Sequence, residues 1–255
     1  MCSKYFVLGL ISASLFTESC SSHYELLSVK RNRIIIDERY DANPDEAAIR
    51  FLAPYQHTVD SLMSPIVGQV AYDLSAKRPE SSLSNLLADI LVWGSSKFQE
   101  HPDFSVYNVG GIRAAFAKGT VTYGDVLDVS PFENKICLLS LSGEKVLELF
   151  RQIASRGGEG VSHGVQLKIT KSGKLVEAIL NGKPIDPQAT YRVATLDYLA
   201  QGNDQLVAFK SGENVLSPKS KDNNARFIIM DYFREKCSGG RALAPIVEGR
   251  IKVVE

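Results

Sequence analysis

Apolar and polar positions along the chain switch between a helical and an alternating period, and the switches predict its elements. From Ala48, the apolar residues Phe51, Leu52, Tyr55, Val59, Leu62 and Met63 recur at three- and four-residue intervals, which predicts an amphipathic helix to about Ser64. Asn43-Pro44-Asp45-Glu46 supplies its start, with Asn as cap, Pro at the first position and acids in the first turn. Pro54 is expected to kink or split this helix, because it lacks an N–H and its ring crowds the preceding turn. A second helix is predicted over 80–97, burying Leu83, Leu86, Leu87, Ile90, Leu91 and Phe98. Further helices are predicted after Thr122-Tyr123-Gly124-Asp125, over 145–154 behind a Ser142 cap, and over 224–236. Strands are predicted over 33–36, 66–72, 104–107, 135–141, 165–170, 174–180, 191–195 and 251–254. Lys171-Ser172-Gly173 and Asn181-Gly182 read as hairpin turns, and 156–160 as a glycine-rich loop. Interleaved strands and helices with hairpins imply an α+β or mixed α/β architecture of layers with mixed sheets, and there is no internal repeat.

Composition adds limits. The chain has 255 residues, 44% hydrophobic and 23% charged, with a net charge of zero. That is ordinary for a folded domain and gives no basic face for nucleic acid. An anionic ligand must therefore be held by local groups. The N-terminus reads as a targeting segment over 1–19: Lys4 is followed by an uncharged run from Phe6 to Phe16, too short to span a bilayer. Cys20, followed by Ser21-Ser22, resembles a bacterial lipoprotein site, although Thr17 and Glu18 depart from the usual pattern. The expectation is an exported lipoprotein, periplasmic or anchored at the outer membrane or cell surface, touching the membrane only through lipid on Cys20. Residues 20–42 then form a tether and lead-in strand, and 43–255 the domain. Cys137 and Cys237 are either a disulfide or two separate thiols, and separate thiols are the preferred reading.

Four stretches carry candidate chemistry. Asn108-Val109-Gly110-Gly111-Ile112-Arg113 follows a strand. Its two glycines are expected to adopt positive φ and let backbone approach a ligand, and Arg113 offers a planar fork to phosphate or carboxylate. In Ser130-Pro131-Phe132-Glu133-Asn134, a loop Phe can stack on an aromatic base. Asp197-Tyr198 offers a second ring, and Gly202-Asn203-Asp204 a carboxylate that could accept from ribose or base. Taken singly, each stretch is equally a turn or ordinary packing.

Taken in order, these stretches and those between them, from Glu80-Ser81-Ser82-Leu83-Ser84-Asn85 through Gly119-Thr120-Val121-Thr122-Tyr123-Gly124-Asp125 and Leu141-Ser142-Gly143, strongly resemble the C-terminal domain of bacterial and animal 5′-nucleotidases over about 45–255. The resemblance implies a layered α/β/β/α fold that binds a nucleotide across a cleft facing a separate metallophosphatase domain. It implies that Arg113 contacts the phosphate end with Asn108, Gly110, Gly111 and Asn134 beside it. Phe132 and Tyr198 would clamp the base, and Asp204 would contact the ribose. Family members often have Phe at the position of Tyr198. They usually have Gly where Ser84 and Glu133 stand, and some carry arginines near the first helix, where Arg78-Pro79 lies here.

The family's enzymes hold two divalent metals through an Asp-x-His, Gly-Asn-His and His-cluster domain. Here His23, His57, His101 and His163 are dispersed and outside such motifs, so no metal ligand, cofactor or catalytic residue is expected in this chain. The leading expectation is a nucleotide-recognition subunit of a split phosphohydrolase, its metals on a partner metallophosphatase; a leader placed directly before the domain suggests a naturally short gene. The alternatives are a non-catalytic nucleoside- or nucleotide-capturing surface lipoprotein and an inert descendant that keeps only the fold. Replacing Cys20 by Ser is expected to abolish fatty-acid labelling and release the chain from the membrane fraction; label retained by the variant would contradict the anchor.

Overall fold

The computed structural model describes residues 24–255; the expected leader and Cys20 lie outside the described residues. The chain divides into a short unit ending at Phe51 and a larger one, Leu52–Glu255. In the short unit the lead-in strand expected over 33–36 is not formed. Ile34, Ile35 and Ile36 are exposed, no strand among the described residues pairs with them, and an unpaired strand has no ladder to hold it. Only a turn of 3₁₀ helix, Glu38–Tyr40, interrupts the segment.

Helix α1 (Glu46–Met63) starts two residues later than Asn43 predicted: Asp45 is the cap, its Oδ1 accepting from the N–H of Ala47 and Ala48. It also runs through Pro54 as one helix, so the chain is not split there. Pro54 costs one N–H, and the carbonyl left over belongs to exposed Arg50, a position where solvent can satisfy it.

The larger unit holds three sheets. Strands β1 (Ile66–Val70) and β3 (Gly119–Thr122) form an antiparallel pair. The central five-stranded sheet has the order β10 (Glu213–Leu216), β4 (Ile136–Ser142), β9 (Thr190–Leu196), β2 (Phe104–Tyr107), β5 (Gly160–Val161). A four-stranded sheet runs β11 (Ile251–Val254), β6 (Val165–Thr170), β7 (Leu175–Leu180), β8 (Lys183–Pro184). Both larger sheets mix parallel and antiparallel pairs, as the α+β expectation with mixed sheets has it. Strands β3, β5, β8 and β10 were not predicted from the sequence; β5 and β8 have two residues each, and β10 is exposed throughout and shows no alternation.

Each principal helix begins on a side-chain cap. For α2 (Ser82–Ser95), Ser81 and Ser84 form a reciprocal capping box, so Ser84 has a local use at the place where the resembled family carries Gly. Thr122 and Asp125 do the same for α3 (Tyr123–Val129). Ser142 caps α4 (Gly143–Ser155), which packs on β4 and β9 of one sheet and on β6 and β7 of the other. After the four-residue α5 (Asp197–Ala200), Asn224 caps α6 (Ala225–Lys236), which packs with α2. The core between these layers includes Phe104, Phe150, Ile153 and Val193, with the Phe104 and Phe150 rings 5.3 Å apart. Cys137 and Cys237 are separate thiols, and burial pushes the Cys137 thiol up to about 11.

The registers decide what lies at each sheet edge. Strands β2 and β9 are parallel, with Phe104 beside Val193, so both end on the same edge. Strand β4 is antiparallel to β9, with Ile136 opposite Leu196, and β5 is antiparallel to β2, with Gly160 opposite Tyr107; both therefore begin on that edge. Four segments emerge together: 108–113, 130–135, 156–159 and 197–204. Truncating Phe150 to Ala should destabilise the fold by about 3–5 kcal/mol. In urea unfolding this appears as a lower midpoint at unchanged slope, and a midpoint equal to wild type would contradict the core assignment.

Candidate functional site

The edge where β2 and β9 end is closed by short backbone links. Asp197 N–H donates to Lys135 O at 2.9 Å, and Lys135 N–H donates to Asp197 Oδ1 at 3.0 Å. This stitches the 130–135 loop to α5 and sets Tyr198 beside it. Buried Arg226, on α6, donates to Ser130 O at 3.1 Å and to Pro131 O at 2.6 Å, fixing the carbonyls that precede Phe132. Asn203 closes the other side, its Nδ2 donating to Tyr198 O at 2.8 Å. Asp204 follows with a left-handed backbone, φ 54°, which turns its side chain back towards Tyr198.

These loops enclose a cavity of about 240 Å³ lined by Asn108, Gly110, Gly111, Arg113, Phe132 and Asn134 from one side of the sequence and Tyr198 and Asp204 from the other. All eight residues singled out from the sequence border it. Phe132 and Tyr198 are 44% and 38% exposed, so both side chains are open in part to the cavity they line. The Arg113 guanidinium lies 5.7 Å from the Phe132 ring centre and donates to Gly110 O at 3.3 Å. It has no ion pair among the described residues, which leaves a cation for a ligand. Asp204 accepts from Asn108 Nδ2 at 2.7 Å on Oδ2 and from the Tyr198 hydroxyl at 3.2 Å on Oδ1. Burial first, then the Asp204 charge, raises the Tyr198 phenol, so it remains a donor.

The glycines differ from expectation. Neither Gly110 nor Gly111 has positive φ; both sit in a 3₁₀ turn, Val109–Gly111. What requires Gly111 is space: a Cβ there would lie 2.7 Å from Asn108 Oδ1, a buried acceptor without a hydrogen-bond partner. A positive φ is needed instead at Gly158, φ 111°, where a Cβ would lie 2.3 Å from Pro79 O.

Sequence reasoning missed the group that ties this edge together. Glu159 is buried. Its Oε2 accepts from Val109 N–H at 2.6 Å and its Oε1 from Arg156 Nε at 2.7 Å and from Arg78, which also donates to Gly158 O at 2.8 Å. Arg156 reaches on towards Asp204, Nη2 to Oδ2 being 3.9 Å. The sequence signal was present: one acid inside Gly157-Gly158-Glu159-Gly160, a run otherwise free of charge, directly after Arg156. A second cavity, about 420 Å³, lies by His163, Glu248 and Arg250. The Arg250 guanidinium there is already taken up by Asp89, Glu248 and Val161 O, so it offers little to a ligand.

No group of three His, Cys, Asp or Glu among the described residues is placed to hold a metal ion. His57, His101 and His163 lie on separate segments, so the donor set does not fit a two-metal centre and no metal-dependent step is assigned to these residues.

Comparison with known proteins shows the family to which the chain belongs. The family described as "5'-nucleotidase, C-terminal domain" matches residues 65–211, more than half of the chain. Among curated proteins, the trifunctional nucleotide phosphoesterase protein YfkN of Bacillus subtilis is 28% identical over 239 residues, covering 86% of this chain and 16% of that protein. Protein UshA of Escherichia coli is 26% identical over 163 residues, 63% of this chain and 30% of that protein. The crystal structure of a 5'-nucleotidase precursor from Thermus thermophilus superposes with a TM-score of 0.72 at 27% identity, covering 84% of this chain and 44% of that one. The chain thus spans less than half the length of each of these relatives.

Glu159→Gln is expected to destabilise the fold by about 3–5 kcal/mol in urea unfolding, because it leaves two arginines facing a neutral group in a buried site. A variant as stable as wild type would show that the loops are held by something else.

Proposed function

We propose, on the premise that the chain belongs to the family of 5′-nucleotidase C-terminal domains, that it is the nucleotide-recognition part of a split phosphohydrolase of nucleotide catabolism. The observation that carries this reading is the cavity itself. Two half-covered aromatic rings, an ion-pair-free arginine and an acceptor carboxylate face one space. A nucleotide has the matching parts: a planar base, a hydroxylated sugar and an anionic end. Phe132 and Tyr198 hold the base between them, a contact worth about 1–3 kcal/mol per stacked base in single-strand binders. Asp204, supported by Asn108, accepts from the sugar. Arg113 takes the phosphate end, with Gly110, Gly111 and Asn134 shaping the wall.

Hydrolysis itself is assigned to a separate metallophosphatase subunit. Its two divalent metals would polarise the phosphate and supply the attacking hydroxide. The present chain selects and orients the substrate for that centre, which converts an encounter between two solutes into a positioned reaction. Export and a lipid on Cys20 would keep the pair at the periplasmic or outer face of a membrane; no helix among the described residues is long and apolar enough to cross one.

The test is AMP hydrolysis with added divalent metal by the purified chain alone, by a metallophosphatase encoded beside it, and by the mixture. Turnover in the mixture well above the sum of the two is expected. Arg113→Ala should then lower kcat/KM of the mixture by about tenfold or more, the loss of one charge-assisted hydrogen bond. A mixture no more active than its parts would contradict the split-enzyme reading.

A further inference from the structure

Asp204 is held on both of its oxygens in a way that counts out what it can still accept. An ionised carboxylate has about four acceptor positions, two on each oxygen. The Asn108 amide occupies one on Oδ2, at 2.7 Å, and the Tyr198 hydroxyl one on Oδ1, at 3.2 Å. The Arg156 guanidinium faces Oδ2 at 3.9 Å, a distance for charge attraction and not for a hydrogen bond. One position remains on each oxygen, both on a residue that lines the cavity. Two hydroxyls on adjacent sugar carbons match that pattern, one to each oxygen. A sugar with a single hydroxyl leaves one position unfilled.

We infer that Tyr198 is a specificity-determining residue, whose hydroxyl fixes the Asp204 carboxylate in the orientation that reads a vicinal diol and so favours ribonucleosides over deoxyribonucleosides. This rests on the nucleotide reading of the site and deepens it. The hydroxyl spans the turn between α5 and Asp204, a turn already closed by Asn203 Nδ2 on Tyr198 O at 2.8 Å and by left-handed backbone at Gly202 and Asp204. The ring and the carboxylate are therefore one unit. Replacing Tyr by Phe keeps the aromatic face and removes only the bond to Oδ1. The carboxylate then keeps only the Asn108 hydrogen bond and the more distant Arg156 charge, both on Oδ2, and with Oδ1 released it can rotate about its own side chain, so the two free positions no longer match the diol.

The experiment is calorimetric titration of the full chain with adenosine and with 2′-deoxyadenosine. Wild type should bind adenosine about tenfold or more tightly than 2′-deoxyadenosine, the effect of one hydrogen bond to a charged group. In Tyr198→Phe that ratio should fall by about fivefold or more, close to parity. In Tyr198→Leu, which also removes the stacking face, both affinities should fall further. A ratio in folded Tyr198→Phe equal to that of wild type, or no discrimination by wild type, would overturn the inference alone. Failure of wild type to bind either nucleoside would overturn it together with the nucleotide reading.

Discussion

The edge of the central sheet that carries the cavity depends on one buried negative charge. Glu159 sits where water cannot stabilise it, and a carboxylate in that position persists only with donors on both oxygens. It finds them on three separate segments: Arg78 before α2, Arg156 at the end of α4, and the Val109 N–H after β2. Bringing these donors to one point fixes the loops from which Asn108 to Arg113 project. The charges then balance pairwise. Arg78 and Arg156 face Glu159 and Asp204, whereas Arg113, at the cavity wall, has no ion pair among the described residues. The arginine available to a ligand is thus defined by which arginines are already occupied.

The sheet registers make this convergence possible. A parallel pair, β2 and β9, ends at one edge, and their antiparallel neighbours β4 and β5 begin there, so segments far apart in sequence open beside each other. Binding crevices at the carboxyl ends of parallel strands follow the same geometry in open α/β sheets. In the central sheet β2 and β9 are the one parallel pair among the described strands, and the remaining walls come from antiparallel neighbours. All the loops that border the cavity therefore come from this one edge of the central sheet.

Much of this was legible in the chain. The strand over 104–107, the hairpin around Lys171-Ser172-Gly173, the Ser142 cap and the strand over 251–254 followed from period and turn chemistry, because each is decided by neighbouring residues. The eight cavity residues followed from the order of weak motifs, and no single motif would have sufficed. What was not legible depends on distant partners. The isoleucines at 34–36 have strand character but no strand beside them. Pro54 fits a helix break, yet solvent lets the helix absorb it. Gly110-Gly111 invited an argument from positive φ, whereas the constraint is the Asn108 side chain three residues earlier. The Arg156–Glu159 pair is local, but the contacts of Glu159 with Arg78 and Val109 and of Arg226 with Ser130 and Pro131 join residues far apart in sequence, which no local pattern announces.

The most direct test of the central claim is a crystal structure of the chain grown with AMP. The account predicts the adenine between Phe132 and Tyr198, the ribose hydroxyls on Asp204 and the phosphate beside Arg113. AMP bound elsewhere, such as in the cavity by His163 and Glu248, with the aromatic slot empty, would contradict it.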